Sequence, residues 1–266
     1  MRKYLYSFKL YLLASLQYRF DTVLGLIMSN ISMLITIFFW IIIYRSNGTG
    51  EINGYSIADM ITFFVMSSLF RTFILSSSGF EISDMIKSGE LGKALIKPHS
   101  ISMFLYWKHL SNALFEFLKQ FSFLLLVVPF FARYLTWDLS VPSAVLVIIY
   151  LVTATVISHL LWLLLGMMAF WLEQAQAVMW SFAVILNFLS GMFIPLDFFP
   201  RWSVRVLELM PFAAFSYIPA KLYMNQLSVA EGAYLLMVHI LWIFVLMALN
   251  QMVWRAGTKK YSAVGG

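Results

Sequence analysis

Six apolar stretches, each about 20 residues or longer, constrain this chain more than any other feature of its sequence. They cover residues 22–44, 57–79, 111–134, 143–170, 177–197 and 232–254, and charged or turn-forming residues bound each of them. A helix of about 20 apolar residues crosses the roughly 30 Å hydrocarbon core of a bilayer. The strands of a membrane barrel instead alternate in polarity and are only about ten residues long. The sequence therefore predicts an all-α integral membrane protein, with six transmembrane helices in one domain covering residues 1–266.

The composition excludes several other classes of protein. Apolar residues make up 62% of the chain and charged residues only 11%, so a soluble domain of 266 residues would lack polar surface. The chain has no cysteine, which rules out disulfides, thiolate catalysis and thiol ligands for a metal. We predict no catalytic residues, no metal site and no cofactor bound by this chain.

Lysine and arginine collect on the cytoplasmic side of membrane proteins, and their distribution orients the six spans. With both termini cytoplasmic, the inner segments carry 11 of these residues and the outer segments carry 5. The inner residues are Arg2, Lys3, Lys9, Arg19, Lys87, Lys93, Lys97, Lys108, Arg255, Lys259 and Lys260. The outer residues are Arg45, Arg133, Arg201, Arg205 and Lys221. We therefore predict a multi-pass protein of the cell membrane with cytoplasmic termini, and the net charge of +6 reflects this bias rather than a nucleic-acid partner.

Residues 1–20 precede the first span and have a helical pattern of their own. Lys9, Gln17 and Arg19 interrupt their apolar run, which is not typical of a secretory signal. The pattern predicts an amphipathic helix in the inner interface of the membrane, and the alternative is an extension of the first span. The apolar positions of this predicted helix are Leu5, Phe8, Leu12 and Leu16.

The stretch between the second and third spans, residues 80–110, is too organised to be a simple connector. Glu81, Asp84 and Lys87 are three residues apart and line one face of a short helix. Gly89 allows that helix to end, and Pro98 prevents the next helix from continuing. The pattern predicts a helix, a turn and a second helix at the cytoplasmic surface of the membrane.

An apolar ridge is predicted on the second of these short helices. Leu91, Leu95 and Ile96 recur at helical spacing, and Lys93 and Lys97 lie beside them. An apolar ridge flanked by cations suits a groove on a soluble subunit. The alternative is a solvated loop that only joins two spans.

The stretch after the fifth span, residues 191–230, is predicted to lie on the outer side. Pro195 and Pro200 are five residues apart, so they prevent one continuous helix. Trp202 and its aromatic neighbours, with Arg201 and Arg205, are typical of a membrane interface. We predict short re-entrant helices that dip part-way into the outer leaflet, with an aromatic surface loop as the alternative.

These two stretches, in their positions relative to six spans, resemble the membrane subunit of type 2 ABC exporters. In that family an amphipathic helix precedes six spans. The loop after the second span carries a Gly-x-Leu…Leu-x-x-Pro pattern, matched here by Gly89, Leu91, Leu95 and Pro98. A Gly-x-x-x-Pro-Leu…Pro-x-Trp pattern after the fifth span is matched by Gly191, Pro195, Leu196, Pro200 and Trp202.

The resemblance implies a permease subunit that works with partners in the lipid bilayer. ATP would bind to a separate ABC ATPase subunit, and a second permease would complete the pathway as a homodimer or a heterodimer. The residues implied to receive the push of the ATPase are Gly89, Leu91, Lys93, Leu95, Lys97 and Pro98. The residues implied to form an outer gate are Gly191, Pro195, Pro200 and Trp202.

The chain itself lacks the pattern of an ATP-binding loop. Gly92 and Lys93 invite the comparison, but Lys87 occupies the position of the earlier glycine and Ala94 that of the serine or threonine. Without that glycine and hydroxyl there is no cradle for phosphate and no ligand for magnesium. We therefore predict a transport subunit that is not an enzyme.

Charged residues within spans are often functional, and Arg71, Glu116 and Lys119 are candidates for such a role. Glu116 and Lys119 are three residues apart on one helical face, so they can pair. We predict that Arg71, toward the inner end of the second span, joins Glu116 in an intramembrane ion pair. The alternative is that these long side chains extend to the inner interface.

Other functions remain as alternatives: an ion-coupled transporter, a channel subunit or an intramembrane enzyme. No acidic residue lies in the middle of a span, which argues against an ion-coupled carrier. His99 and His109 lack the spacing of a zinc-binding helix, and residues 76–79 are not a nucleophile elbow. No repeated pore-lining pattern indicates a channel. Polar residues within the spans are predicted to bond other helices rather than substrate: Asn30, His159, Asn187, His239 and Asn250.

Overall fold

The structure is a computed structural model, and it describes residues 19–48, 50–97, 100–136 and 139–261. The described residues form α-helices joined by short 3₁₀ turns and one two-stranded hairpin. The helices are α1 (Arg19–Asn47), α2 (Ile57–Ile74), α3 (Ser78–Lys87), α4 (Glu90–Leu95), α5 (Ile101–Phe131), α6 (Val141–Gly166), α7 (Ala175–Leu189), α8 (Arg201–Leu209), α9 (Tyr217–Tyr223) and α10 (Val229–Lys260). The strands are β1 (Glu51–Ile52) and β2 (Tyr55–Ser56). The predicted helix at residues 1–20 lies almost entirely outside the described residues.

Three helical segments in the described part of the chain are long and apolar enough to cross a membrane. They are Ile57–Lys87, Val141–Phe170 and Val229–Lys260, and shorter apolar helices cover Met33–Ser46 and Ala175–Leu189. The prediction of an all-α chain is thereby confirmed, with three helical segments capable of spanning a membrane. The count of six spans and the cytoplasmic termini stay predictions.

The helices begin and end at different residues from the predicted spans in three places. The stretch 57–79 is not one helix, because α2 ends at Ile74 and α3 begins at Ser78. Helix α5 begins at Ile101, ten residues before the predicted third span. Helix α7 ends at Leu189, so the last eight residues of the predicted fifth span belong to the following loop.

A tight hairpin joins α1 to α2, and we call this side of the molecule the hairpin end. Asn53 and Gly54 occupy its two central positions with φ of 54° and 79°, which a type I′ turn requires. Ser56 then caps α2, because its hydroxyl accepts a hydrogen bond from the Asp59 amide at 3.1 Å. The Asp59 carboxylate accepts one from the Ser56 amide at 3.1 Å, which completes a capping box.

Residues 75–77 interrupt the apolar stretch and separate α2 from α3. The Ser76 amide has no acceptor within a helix there, and it donates to the Ser158 hydroxyl of α6 at 3.1 Å. Helix α3 then crosses α6 closely, because Gly79 and Gly166 bring no side chains to the crossing. A Cβ atom on Gly166 would lie 2.2 Å from the Gly79 carbonyl oxygen. Only glycine fits at this contact without a shift of one helix.

Helix α6 is the central helix and packs against α2, α3, α5, α7, α9 and α10. Hydrogen bonds between buried polar groups hold α10 against it. The Tyr150 hydroxyl donates to the Gly232 carbonyl at 3.0 Å, and Asn250 Nδ2 donates to the Leu160 carbonyl at 2.9 Å. Buried polar groups need such partners because water does not reach them.

Helix α7 ends in a Schellman motif, after which the chain folds back at the hairpin end. Gly191 has φ of 78°, and its amide donates to the Phe188 carbonyl at 3.1 Å. The Met192 amide donates to the Asn187 carbonyl at 3.0 Å, so both carbonyls at the helix end have partners. The segment that follows, residues 190–223, consists of α8, α9 and two 3₁₀ turns, Leu196–Phe198 and Ala213–Phe215.

Candidate functional site

The first candidate site is the α3–α4 segment, residues 78–97, at the end of the molecule away from the hairpin. Gly89 precedes α4 in the left-handed conformation, with φ of 79°, and lets the chain turn between the two helices. Leu91 of α4 is fully buried in an apolar cluster. The other buried members of this cluster are Ile82, Ile86, Ala94, Ile101, Leu105, Leu163, Met167 and Phe170. One face of α4 is thus anchored to α3, α5 and α6.

The other face of α4 points away from the molecule. Ile96 is 85% exposed and Leu95 is 46% exposed, and the side chains of Lys93 and Lys97 are exposed as well. Leu91 therefore does not lie on the predicted ridge with Leu95 and Ile96, because the core of the protein covers it. Pro98, the last residue of the predicted coupling pattern, lies outside the described residues.

Polar contacts connect the α3–α4 segment to three further parts of the fold. Lys108 of α5 pairs with Glu81 of α3, with 2.7 Å between Nζ and Oε2. Gln176, at the start of α7, donates to Asp84 at 2.6 Å. The Gly92 amide donates to the Tyr261 hydroxyl, beyond the end of α10, at 3.3 Å. A displacement of this segment would therefore act on α5, α7 and α10 together.

A cavity of about 620 Å³ adjoins the same segment. Side chains from α4, α5, α6 and α10 line it, including Leu95, Tyr106 and Asn250. Its walls are mainly apolar, with a polar patch at His159. His159 Nδ1 lies 2.8 Å from Ser78 Oγ, and Nε2 lies 3.1 Å from Ser102 Oγ. The volume and the lining are typical of a site for a small organic molecule or a lipid chain.

The second candidate site is a cluster of polar groups around Asp197 at the hairpin end. The Asp197 carboxylate accepts hydrogen bonds from the hydroxyls of Tyr55 and Tyr217, the latter at 2.7 Å. Lys221 Nζ lies 3.0 Å from Asp197 Oδ2. The carboxylate thus joins the β-hairpin to α9.

The electrostatics of this cluster favour a charged Asp197. Burial raises the pKa of the carboxyl, but the nearby Lys221 charge and the tyrosine hydroxyls outweigh it, so the pKa of Asp197 lies below its usual value. Burial and the negative charge of Asp197 raise the pKa of Tyr55 and of Tyr217. Both hydroxyls therefore stay protonated and keep donating to the carboxylate.

Further contacts fix the loop that carries Asp197. Asn53 Nδ2, at the tip of the hairpin, donates to the Asp197 carbonyl at 3.1 Å. The ring of Phe198 packs against Trp40 of α1 at 5.7 Å and against Tyr55 at 6.1 Å between centroids. Sequence reasoning passed over Asp197, although a carboxylate in an aromatic run between two prolines is an unusual choice for a membrane interface.

The four predicted gate residues occupy different environments. Gly191 supplies the left-handed turn after α7, and Pro195 is buried. Pro200 is exposed, and Trp202 is 78% exposed on α8. The connection between the hairpin and this segment runs through Asp197 rather than through these four side chains.

Within the apolar helices, Glu116 pairs with Lys119 at 2.5 Å, one turn apart on α5. Arg71 does not join them, although Phe73 and Phe117 are in contact and place the two helices at a similar level. Its side chain instead lines a narrow cavity between the end of α2, the end of α7 and residues 215–216. The predicted ion pair between Arg71 and Glu116 is therefore absent from the structure.

Three of the five polar residues predicted to bond other helices do so, and a fourth, His239, bonds the residue that follows α8. Asn30 of α1 exchanges hydrogen bonds with Gln120 of α5, at 2.8 Å and 3.2 Å. His239 Nε2 lies 3.0 Å from the Met210 carbonyl oxygen, and the bonds of His159 and Asn250 are described above. The fifth residue, Asn187, lines the same narrow cavity as Arg71.

These features define a helical membrane protein with two distinctive ends. At one end the α3–α4 segment has one buried and one exposed face, and at the other end hydrogen bonds and an ion pair hold the loop that carries Asp197. Comparison with known families gives a more specific assignment. Residues 30–265 match the family model described as ABC-2 family transporter protein. The chain therefore belongs to the ABC-2 transporter family, whose members are membrane components of transporters, and the predicted resemblance is confirmed. Among curated proteins, none matches this chain.

Proposed function

We propose that this chain is the transmembrane subunit of an ATP-binding cassette exporter, driven by a separate ATPase subunit and assembled with a second permease in the cell membrane. Membership of the ABC-2 family supports the transport role and a partnership with an ABC ATPase. The direction of transport, the pairing of two permeases and the absence of an ATP site in this chain are further parts of the proposal.

The observation that carries the proposal is the two-sided character of α4. Leu91 is buried among residues of α3, α5 and α6, whereas Ile96, Lys93 and Lys97 are exposed on the other side. Leu95 is 46% exposed and also lines the cavity beside α4. An exposed apolar pair flanked by cations suits a groove on a soluble subunit with acidic residues at its rim. The buried side and the contacts through Glu81, Asp84 and Gly92 would then convert movement of the ATPase into movement of the helices.

In the proposed topology, the exposed surface of α4 lies on the cytoplasmic side, where a soluble ATPase can bind it. Six spans with cytoplasmic termini place the α3–α4 segment in the cytoplasm, and the excess of lysine and arginine in the inner segments supports that orientation. Both the Asp197 cluster and the hairpin then lie on the outer side. In this arrangement the 190–223 segment closes the outer end of the pathway, and Asp197 holds it closed.

The second permease has apolar helix surfaces available to it. Phe38 and Ile42 of α1, and Trp180 and Ile185 of α7, are each more than half exposed. In a bilayer such surfaces face either lipid or another helix. An identical or similar subunit can therefore take the place of lipid against these apolar side chains. We propose that one of these surfaces forms the contact between permeases.

Co-purification tests the proposal directly. The tagged chain is isolated from its native membranes in mild detergent, and co-purifying proteins are identified by mass spectrometry. We expect an ABC ATPase, and a second permease of different sequence if the assembly is a heterodimer. Ile96→Asp should abolish recovery of the ATPase, whereas Val206→Asp, an exposed apolar position on α8 at the other end, should leave it unchanged.

Repeated isolation of the chain alone would contradict the proposal. A stable chain that repeatedly purifies without any ATPase is not a permease of this kind. It would then be tested as a channel or an ion-coupled carrier, and changes at Ile96 would leave its activity intact.

A further inference from the structure

Arg71 is a cation in the middle of a membrane-spanning segment. It is the fifteenth of the 31 residues in the segment Ile57–Lys87. Asn187, which lines the same cavity, is the thirteenth residue of α7, about 18 Å along that helix at 1.5 Å per residue. Arg71 lies in the last turn of α2, but the break that follows this helix packs against Ser158, twelve residues before the end of the segment Val141–Phe170. The end of α2 is therefore inside the membrane segment, and the Arg71 side chain is only partly exposed. Extension to a membrane surface, which is common for arginine near helix ends, does not account for it.

Among the described residues, no carboxylate lies within ion-pair distance of Arg71, and its guanidinium has no hydrogen-bond acceptor. Lys108, Lys119 and Lys221, by contrast, each contact a carboxylate at 3.0 Å or less. A guanidinium presents five N–H donors and does not release its proton in proteins. A charge of this kind at low dielectric needs a compensating anion.

The narrow cavity in front of Arg71 holds other polar groups without partners. The hydroxyl of Ser216 is buried and has no hydrogen-bond partner in the described part of the chain. The side chain of Asn187 likewise forms no hydrogen bond with a described residue. The cavity between them has room for about one water-sized group. Three kinds of donor thus converge on one small space in the interior of the membrane segment.

We propose that Arg71, Asn187 and Ser216 bind a single anionic group, either a small free anion or the carboxylate of an amphiphile. The planar fork of arginine matches a carboxylate with two parallel hydrogen bonds, and it accepts a halide equally well as a charge partner. The carbonyls at the end of α7 offset part of the Arg71 charge. They already accept hydrogen bonds from backbone amides, so the N–H donors of Arg71 still lack an acceptor.

The two sources of the anion have different consequences for transport. A free anion would be a resident ion that neutralises Arg71. A carboxylate on an apolar chain would be cargo, and this second reading rests on the proposed exporter function. The site lies between the ends of α2 and α7 and beside residues 215–216 of the outer segment, so cargo held there would contact the segment proposed to close the exit.

The test measures thermal unfolding of the purified full-length chain in mild detergent, without nucleotide. Sodium sulfate, which is neither a halide nor a carboxylate, keeps the ionic strength constant while chloride, acetate or decanoate is titrated in, and decyltrimethylammonium serves as the cationic amphiphile control. The variants are Arg71→Gln, Arg71→Lys and Ser216→Ala. Arg45→Gln, at an exposed position at the end of α1, is the matched control.

We expect the unfolding temperature of the wild-type chain to rise saturably with one of the anions, as ligand linkage requires. The rise should vanish in Arg71→Gln, weaken several-fold in Arg71→Lys and Ser216→Ala, and persist in Arg45→Gln. A response to chloride or acetate identifies a free anion, and a response to decanoate alone identifies the head group of an amphiphile.

A wild-type chain that responds to none of the three anions overturns the proposal, and so does a response that Arg71→Gln retains. The first result does not depend on whether Arg71→Gln folds well, since the wild-type titration alone can contradict the site. The measurement needs no ATPase. A failure to recover an ATPase would therefore reject the exporter function and leave this result standing.

Discussion

Tyr217 Oη donates a hydrogen bond to Asp197 Oδ1 across 2.7 Å, and this bond ties α9 to the loop that follows α7. Tyr55 and Lys221 satisfy the rest of the carboxylate. The segment 190–223 is therefore held to the hairpin by a charged group with a complete set of partners. Moving the segment means separating Lys221 from Asp197 or moving all four residues as one unit.

Replacement of the carboxylate should weaken this attachment. Asp197→Asn removes the negative charge and leaves the largely buried ammonium of Lys221 without its counterion, so we expect a loss of about 2 to 4 kcal/mol in unfolding free energy. Tyr217→Phe removes only one hydrogen bond and should cost about 1 kcal/mol. Chemical denaturation of the purified chain measures both. Equal stability of the Asp197→Asn variant and the wild type would show that the cluster does not hold the segment.

The same cluster predicts a dependence on pH. The pKa of Asp197 is lower in the folded chain than in the unfolded chain, where it is about 3.9. A lowered folded pKa adds stability that is fully present above the unfolded pKa and disappears as the pH falls through the folded pKa. The difference in stability between the wild type and Asp197→Asn should therefore be constant from about pH 7 to pH 5 and shrink below about pH 4. A difference that grows on acidification would contradict the assigned charge state.

The class of the protein could be predicted from its sequence because long apolar stretches have few alternatives to spanning helices. The helix break at residues 75–77 could not, since Leu75, Ser76 and Ser77 include neither proline nor glycine. The break depends on the Ser158 hydroxyl, 82 residues away, which accepts the hydrogen bond of the Ser76 amide. Local patterns carry no information about a partner at that separation.

The candidate sites show the same limit. Helical spacing placed Leu91 with Leu95 and Ile96, but in a six-residue helix the spacing does not tell which side meets the core. Asp197 was missed because its hydrogen bond with Tyr55 joins residues 142 positions apart. For Arg71 and Glu116, the sequence gives a similar depth in the membrane, but it does not give the faces of the helices on which they lie.

The close crossing of α3 and α6 predicts a strong effect of one added methyl group. Gly166→Ala would bring a Cβ atom to 2.2 Å from the Gly79 carbonyl oxygen, so α3 must move away from α6. Overpacking of this kind costs about 1 to 3 kcal/mol, and we expect thermal unfolding at a correspondingly lower temperature. Gly50→Ala is the matched control, because no atom lies within 4 Å of its added Cβ. Similar unfolding temperatures for the two variants would mean that the crossing is not tightly packed.

The two sides of α4 predict opposite phenotypes for two conservative truncations. Leu91→Ala removes a fully buried side chain and should lower the unfolding free energy by about 2 to 5 kcal/mol, because it leaves a cavity beside α5 and α6. Ile96→Ala, at an 85% exposed position, should change that free energy by less than about 0.5 kcal/mol. Denaturation of both variants is measured beside recovery of the ATPase from membranes. Under the proposed function Ile96→Ala reduces recovery while the chain stays stable. If Leu91→Ala is instead the harmless change, α4 presents its other face to the core, and the docking surface has to be reassigned to the side that carries Leu91.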